Sequence, residues 1–245
     1  MPRIGVVSAL KDEAERFSQS LRFEDQRHRE IFQIVQTGIG NERITAALEN
    51  SLNVPTDALI VFGTAAGIEP ALVAGDLVIY DSVAREDETH FATSKNLNQY
   101  LLDALATLNP HCGIGLSVTK AVCSVNEKQQ IRSTESCLCI DMESATIANW
   151  ALQRHIPVAC VRAIVDAAGQ AVPSAALKGM RPDGKTSALA TGLALIKNPG
   201  QFPDLVRLAR QYQKALNKLS AAAKLIVSNL NARNLKEFGR HQPRH

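Results

Sequence analysis

The chain has 245 residues, 45% of them hydrophobic and 21% charged, with a formal net charge of +3. Those values exclude a globally disordered chain and suit one large α/β domain better than two small ones. Aromatics, at 4%, leave the core to Ala, Val, Leu and Ile, and no apolar run approaches the roughly 18–20 residues of a membrane span.

In chain order, residues 4–10 are a short apolar run read as a strand, and Lys11-Asp-Glu-Ala-Glu15 opens a helix. Residues 31–36 read as a second strand ending in Thr37-Gly-Ile-Gly40. Residues 41–52 then read as a helix with Ile44, Ala47 and Leu48 on one face. Residues 58–62 form a buried strand running into a small-residue turn, Gly63-Thr-Ala-Ala-Gly67. A strand over 76–83, a helix over 97–108 and a strand over 115–122 follow, then a helix over 141–154 and a strongly apolar strand over 157–165 ending at Asp166. This alternation predicts a single α/β domain with a mostly parallel or mixed central sheet flanked by helices. Residues 167–202, rich in Gly and Pro, read as a long loop with a short helix near 186–196. Residues 203–230 read as a terminal amphipathic helix or helix pair. The domain is taken as 1–232, and 233–245 as a basic, solvated tail.

Five cysteines, an odd number, match no disulfide or zinc spacing, so reduced thiols, no metal and a cytoplasmic location are expected, with no signal peptide read at the N-terminus. Cys160, inside Val158-Ala-Cys-Val161, reads as a small hydrophobe. No basic run is interleaved with aromatics, so nucleic-acid binding has little support.

Open α/β sheets collect functional residues at the carboxyl ends of their strands. There the chain places Glu13, Thr37, Thr64, Glu143 and Asp166. Each has a plainer reading on its own. Glu13 suits the positive end of a helix dipole, Asp141 reads as a helix N-cap, and Arg162 inside an apolar strand needs a carboxylate partner. The glycine turns are neither a Gly-x-Gly-x-x-Gly fingerprint nor a Gly-Lys-Ser/Thr phosphate loop.

Taken together they say more. Ala9-Leu-x-x-Glu13, Thr37-Gly-Ile-Gly40, Gly63-Thr-Ala-Ala-Gly67 with Gly75-Asp76, Asp141-Met-Glu143 and Val161-Arg-Ala-Ile-Val-Asp166 occur in that order. The series resembles the nucleoside phosphorylase and methylthioadenosine/S-adenosylhomocysteine nucleosidase superfamily over about residues 4–170. Arg181-Pro-Asp-Gly184 and Asn198-Pro-Gly-Gln201 make the chain most similar, within it, to the hopanoid-associated phosphorylase group, which releases adenine from adenosylhopane.

The resemblance implies a nucleoside phosphorylase-like fold and cleavage of the bond between purine and ribose. Asp166 matches the residue that hydrogen-bonds or protonates N7 of the base, and Glu13 the carboxylate that activates water. Glu143 matches the ligand of the ribose 2′- and 3′-hydroxyls, and Met142 an apolar residue against the nucleoside. Thr64 and the glycine-turn backbone, Gly38 included, match the place of the nucleophile, while Arg162 matches an arginine near the ribose. Val122 and Cys123 fall in the segment that contacts adenine. Two positions depart from the pattern: Val165 stands where nucleosidases carry a small hydroxyl residue, and Val61 where hexameric phosphorylases carry a phosphate-binding arginine. The resemblance further implies no cofactor, with inorganic phosphate left open as co-substrate. It implies an adenine nucleoside as ligand, lipid-linked in the hopanoid case and bringing the chain to a membrane surface, and a homo-oligomer. The alternatives are a nucleosidase or phosphorylase acting on a soluble nucleoside, and a noncatalytic nucleoside-binding module.

Overall fold

The computed structural model describes residues 3–23, 26–52, 55–173 and 199–230, with Ala176, Asp183 and Phe238 as isolated positions. The first part of the chain runs β1 (Ile4–Ser8), α1 (Lys11–Ser20), α2 (Gln26–Ile31), β2 (Phe32–Gln36), α3 (Asn41–Ser51) and β3 (Ala58–Gly67). It continues with β4 (Leu77–Arg85), β5 (His90–Ala92), α4 (Lys95–Ala104), β6 (His111–Ser117) and α5 (Val125–Thr134). Then follow β7 (Cys139–Asp141), α6 (Ser144–Gln153), β8 (Val158–Ile164) and α7 (Phe202–Ser228).

The strands form one mixed sheet. Strands β2, β1, β3 and β8 are parallel neighbours, and β8 pairs antiparallel with β4. Strand β4 pairs parallel with β6 and antiparallel with β5, β6 pairs parallel with β7, and β7 returns antiparallel to the end of β3. The pairings β3–β8–β4–β6–β7–β3 close a ring within the mixed sheet. The length of β3 makes this possible: Leu59–Ala65 pair with β8, and Ala66 and Gly67 are left for β7.

Alternation along the strands feeds two apolar layers. Ile60 and Phe62 face one side with Phe17 of α1, Leu97 of α4 and Leu216 of α7. Leu59 and Val61 face the other with Ile44 and Leu48 of α3 and Trp150 of α6. All of these are buried.

Several expectations need correction. Gly63-Thr-Ala-Ala-Gly67 is not a turn but the second half of β3. Its small side chains reflect crowding: a Cβ at Gly63 would lie 2.6 Å from Arg162 Nη1 and 2.9 Å from Glu13 Oε2. The strand read over 115–122 lies earlier, at His111–Ser117, and helix α6 begins at Ser144 because Cys139–Asp141 is a strand. Strand β5 and helix α5 were not expected at all. The last helix is a single one, not a pair. The helix read near 186–196 and most of the 233–245 tail lie outside the described residues. Phe238, within that tail, is buried against the ring of Tyr100, so at this position the chain is packed, not solvated. All five cysteines are free thiols.

Candidate active site

The site grows from one buried charge. Arg162, in the middle of β8, is 1% exposed, and an unpaired guanidinium there would be prohibitively costly. Its Nε lies 3.1 Å from Asp141 Oδ2, an ion contact off the hydrogen-bond axis. Its Nη2 donates to Ser144 Oγ at 2.9 Å and to Glu143 Oε2 at 3.4 Å. Arg162 therefore meets the expectation of a carboxylate partner, but it does not line the cavity described below. It lies beneath the cavity, where its charge also acts on Glu13 and Asp141.

Asp141 ends β7 and is encircled by donors. Its Oδ1 accepts from the Glu143 and Ser144 backbone N–H groups at 3.0 and 2.9 Å, and from Ser117 Oγ at 3.2 Å. Its Oδ2 accepts from Ser144 Oγ at 2.6 Å and Tyr80 Oη at 3.0 Å. It thus satisfies the first N–H groups of α6, as a capping residue should, although Glu143 occupies the cap position itself. Burial acts to raise the Asp141 carboxyl, but Arg162 and the Ser144 bonds outweigh it and hold the group below its ordinary value.

The other two carboxylates of the cluster are shifted the opposite way. Burial pushes Glu143 up to about 7 against the pull of Arg162, with the charges of Asp141 and Glu13 adding to the rise. Burial also raises Glu13, although Arg162 and three hydrogen bonds oppose it. Those bonds come from Thr64 N–H at 2.8 Å and Thr64 Oγ1 at 2.7 Å to Oε1, and from Leu10 N–H at 3.1 Å to Oε2. Thr64 thus spends its hydroxyl proton on Glu13.

Glu13, Thr64, Met142, Glu143 and Asp166 line one cavity of about 350 Å³, together with Val122, Cys123 and Val165. Its far wall is α7, through Leu205, Leu208, Ala209 and Tyr212. Among the described residues, no Lys or Arg lines it. Gly38 does not line it either. It sits with φ 76° at the end of β2 and spends its N–H on Ala9 O, at 3.1 Å, while its neighbour Ile39 faces the cavity.

One residue at the site was missed. Lys128, wholly buried on the first turn of α5, places Nζ 2.5 Å from Asp166 Oδ2. Burial raises the Asp166 carboxyl and Lys128 pulls it back, with the rise prevailing. The available signal was the capping box Ser124-Val-Asn-Glu127, whose two reciprocal bonds the structure shows. Apolar periodicity could not reveal this helix, because Lys128 is the one buried residue on it. Among the described residues no cluster of His, Cys, Asp and Glu could hold a metal ion.

The Gly63 contact gives a first prediction. Gly63→Ala forces a methyl group against the buried side chains of Arg162 and Glu13 and should destabilise the fold by about 1–3 kcal/mol, read as a lower Tm. An unchanged Tm would refute the crowding.

Comparison with known proteins fits this architecture. A family model described as the Phosphorylase superfamily matches residues 3–197. A 5′-methylthioadenosine/S-adenosylhomocysteine nucleosidase of Staphylococcus aureus (strain JH9) is 26% identical over 157 residues, covering 55% of this chain and 68% of the relative. Among solved structures, the nucleosidase of the same name from Neisseria meningitidis, in complex with methylthio-immucillin-A, superposes with TM-score 0.70 at 18% identity, covering 94% of this chain and all of that one. Futalosine hydrolase of Helicobacter pylori strain 26695 gives TM-score 0.69 at 14% identity, covering 94% and 98%. At these identities the two structures show the shared fold alone.

Proposed function

The chain belongs to the phosphorylase superfamily, and we propose that it releases adenine from an adenine nucleoside by hydrolysis, the natural substrate being adenosylhopane. The nucleosidase and futalosine hydrolase relatives support cleavage of an N-glycosidic bond. As that bond breaks, C1′ gains positive charge and the purine takes the electron pair of the C1′–N9 bond. In this reading Asp166 delivers a proton to N7, and Glu13, held by Thr64 and Leu10, accepts one from the water that attacks C1′. The two oxygens of Glu143 accept the ribose 2′- and 3′-hydroxyl protons, and Met142 packs against the nucleoside. Arg162 positions Glu143 from outside the cavity, and Gly38 ties the chain after β2 to Ala9 beside it.

Water is favoured over phosphate as the attacking group by the charges around the cavity. Four carboxyl groups (Glu13, Asp141, Glu143 and Asp166) line it with no described Lys or Arg among them, so a phosphate dianion would find no cation on the cavity wall to hold it. Val61, where a phosphate-binding arginine would stand, is buried in the core.

The observation that carries the substrate is an apolar stripe on α7. Tyr212, Ala209, Leu208 and Leu205 line the cavity, and Phe202, one further turn towards the helix start, is 59% exposed. Their spacing puts them along one helical face. A small soluble nucleoside has no use for an apolar track leading out to the surface, whereas a long hydrocarbon substituent at C5′ does. No described helix is long and apolar enough to cross a membrane, so such a substrate would be reached at a membrane surface.

Adenosylhopane and methylthioadenosine, each incubated with the protein with and without inorganic phosphate, provide the test. Faster adenine release from adenosylhopane is the expected result, leaving the C5′-substituted ribose with a free hydroxyl, not a phosphate, at C1′. Turnover of methylthioadenosine beside none of adenosylhopane would overturn the substrate, and a phosphate-dependent rate would overturn the hydrolysis.

A further inference from the structure

The geometry points to Lys128 as the residue that supplies, through Asp166, the proton taken up by the departing base. This rests on the reading of Asp166 as the acid at N7. Nζ of Lys128 carries three protons, and each has an acceptor: Asp166 Oδ2 at 2.5 Å, Ala167 O at 2.8 Å and Gln170 O at 3.0 Å. The side chain is 0% exposed and that of Asp166 is 8% exposed, so water does not compete for this contact. A buried lysine whose counter-charge, among the described residues, is the proposed acid alone is not explained by packing.

The surroundings hold the pair rigidly. The capping box of α5 fixes Lys128 one residue beyond Glu127. The chain after Asp166 is tied down by Val172 N–H to Cys123 O at 2.8 Å, and by a reciprocal amide pair between Gln170 and Gln211 at 2.6 and 2.7 Å. Charged and titratable groups face Asp166 from each side: Lys128 on α5, Cys123 just before it, Tyr212 on α7, and Glu13 and Glu143 across the cavity. Burial raises the Cys123 and Tyr212 groups, so both remain neutral, and among the described residues Lys128 is the cation in direct contact with Asp166.

In the resting pair Asp166 is a carboxylate and Lys128 an ammonium. As the C1′–N9 pair of electrons moves onto the purine, Asp166 takes a proton from Nζ and passes it on to N7, leaving Lys128 a neutral amine. Solvent restores that proton once adenine leaves. Asp166 is thus charged at rest and still able to act as an acid, which burial alone would not achieve.

The test compares kcat at saturating adenosylhopane, and in parallel methylthioadenosine, from pH 5 to 9 for wild type, Lys128→Arg and Lys128→Met. Arginine keeps the charge but cannot release a proton in a protein. Lys128→Arg should therefore lose about 100-fold at pH 8 and recover most of it at pH 5.5, where Asp166 takes its proton from solvent. Lys128→Met should show an acid-shifted profile of the same sense but with its fall displaced to higher pH, because the charge that lowers the Asp166 carboxyl is gone, while wild type stays level across neutral pH. Should Lys128→Met fail to fold, Lys128→Arg decides alone. A Lys128→Arg rate close to wild type, or one reduced equally at every pH, would overturn the inference. An activity-independent reading comes from the carboxyl infrared band lost in Asp166→Asn: at pH 7 it should be that of a carboxylate, and a protonated carboxyl would count against the relay. Turnover surviving in Asp166→Asn would instead sink the acid assignment itself.

Discussion

Asp166→Asn should lower kcat by about 10²–10⁴-fold with little change in KM, the range that a positioned general acid contributes. Asparagine retains an N–H that can hydrogen-bond N7, so binding survives, but it has no proton to transfer as the purine becomes anionic. The substitution also removes the counter-charge of Lys128, whose side chain is 0% exposed. Breaking a buried pair on one side costs about 3–5 kcal/mol, so Tm should fall together with activity. The two effects separate in the double variant Asp166→Asn with Lys128→Met. Taking away the stranded ammonium should restore much of the lost stability and none of the turnover. A double variant regaining activity along with stability would mean that Asp166 matters only as a structural partner. Adenine release under saturating substrate, measured beside thermal melting, distinguishes these outcomes.

The strands that carry the site were legible because their buried faces are nearly continuous apolar runs, as in Val158–Ile164, and end at polar residues such as Asp166. Glu13 and Glu143 were legible for a related reason: a carboxylate in the first turn of a helix, or just before it, stands out against an apolar strand. What escaped has physical causes too. Strand β7 is three residues long, too short for a period of two to register. Helix α5 turns a single buried residue inward, and that residue is a lysine, the opposite of what a hydrophobic pattern detects. The glycines of β3 looked like a turn because glycine is used there for space. Arg162 Nη1 and Glu13 Oε2 fill the volume a side chain would take, and these residues lie 149 positions apart in the chain, so no local pattern reveals the crowding. Ring closure of the sheet depends on the same long-range fit.

Glu143→Gln should make the protein more stable and the enzyme worse, and the two changes have one cause. In the folded chain burial raises Glu143 from 4.5 to about 7. Below pH 4.5 the group is protonated whether the chain is folded or not, and it costs nothing. Between 4.5 and 7 the unfolded chain has released the proton and the folded chain retains it, so stability declines as pH rises; above 7 the full cost of holding the anion is present. That cost is up to about 3 kcal/mol at 1.36 kcal/mol per pH unit. Glutamine cannot ionise, yet its carbonyl still accepts from Arg162 Nη2. Melting at pH 8 should therefore shift upward, and the decline between pH 5 and 7 should flatten. Binding moves the other way. An ionised Glu143 accepts both ribose hydroxyl protons, each such bond being worth roughly 1.5–3 kcal/mol, and the amide can accept only at one atom. A loss of about 10–100-fold in kcat/KM follows from forfeiting one bond of that strength. Wild-type kcat/KM should itself fall below about pH 7, where the free enzyme takes up the proton, and that acid limb should vanish in the glutamine variant. A variant no more stable than wild type at pH 8 would mean that Arg162 fully compensates the buried anion. An acid limb that persisted would place the titration at Glu13.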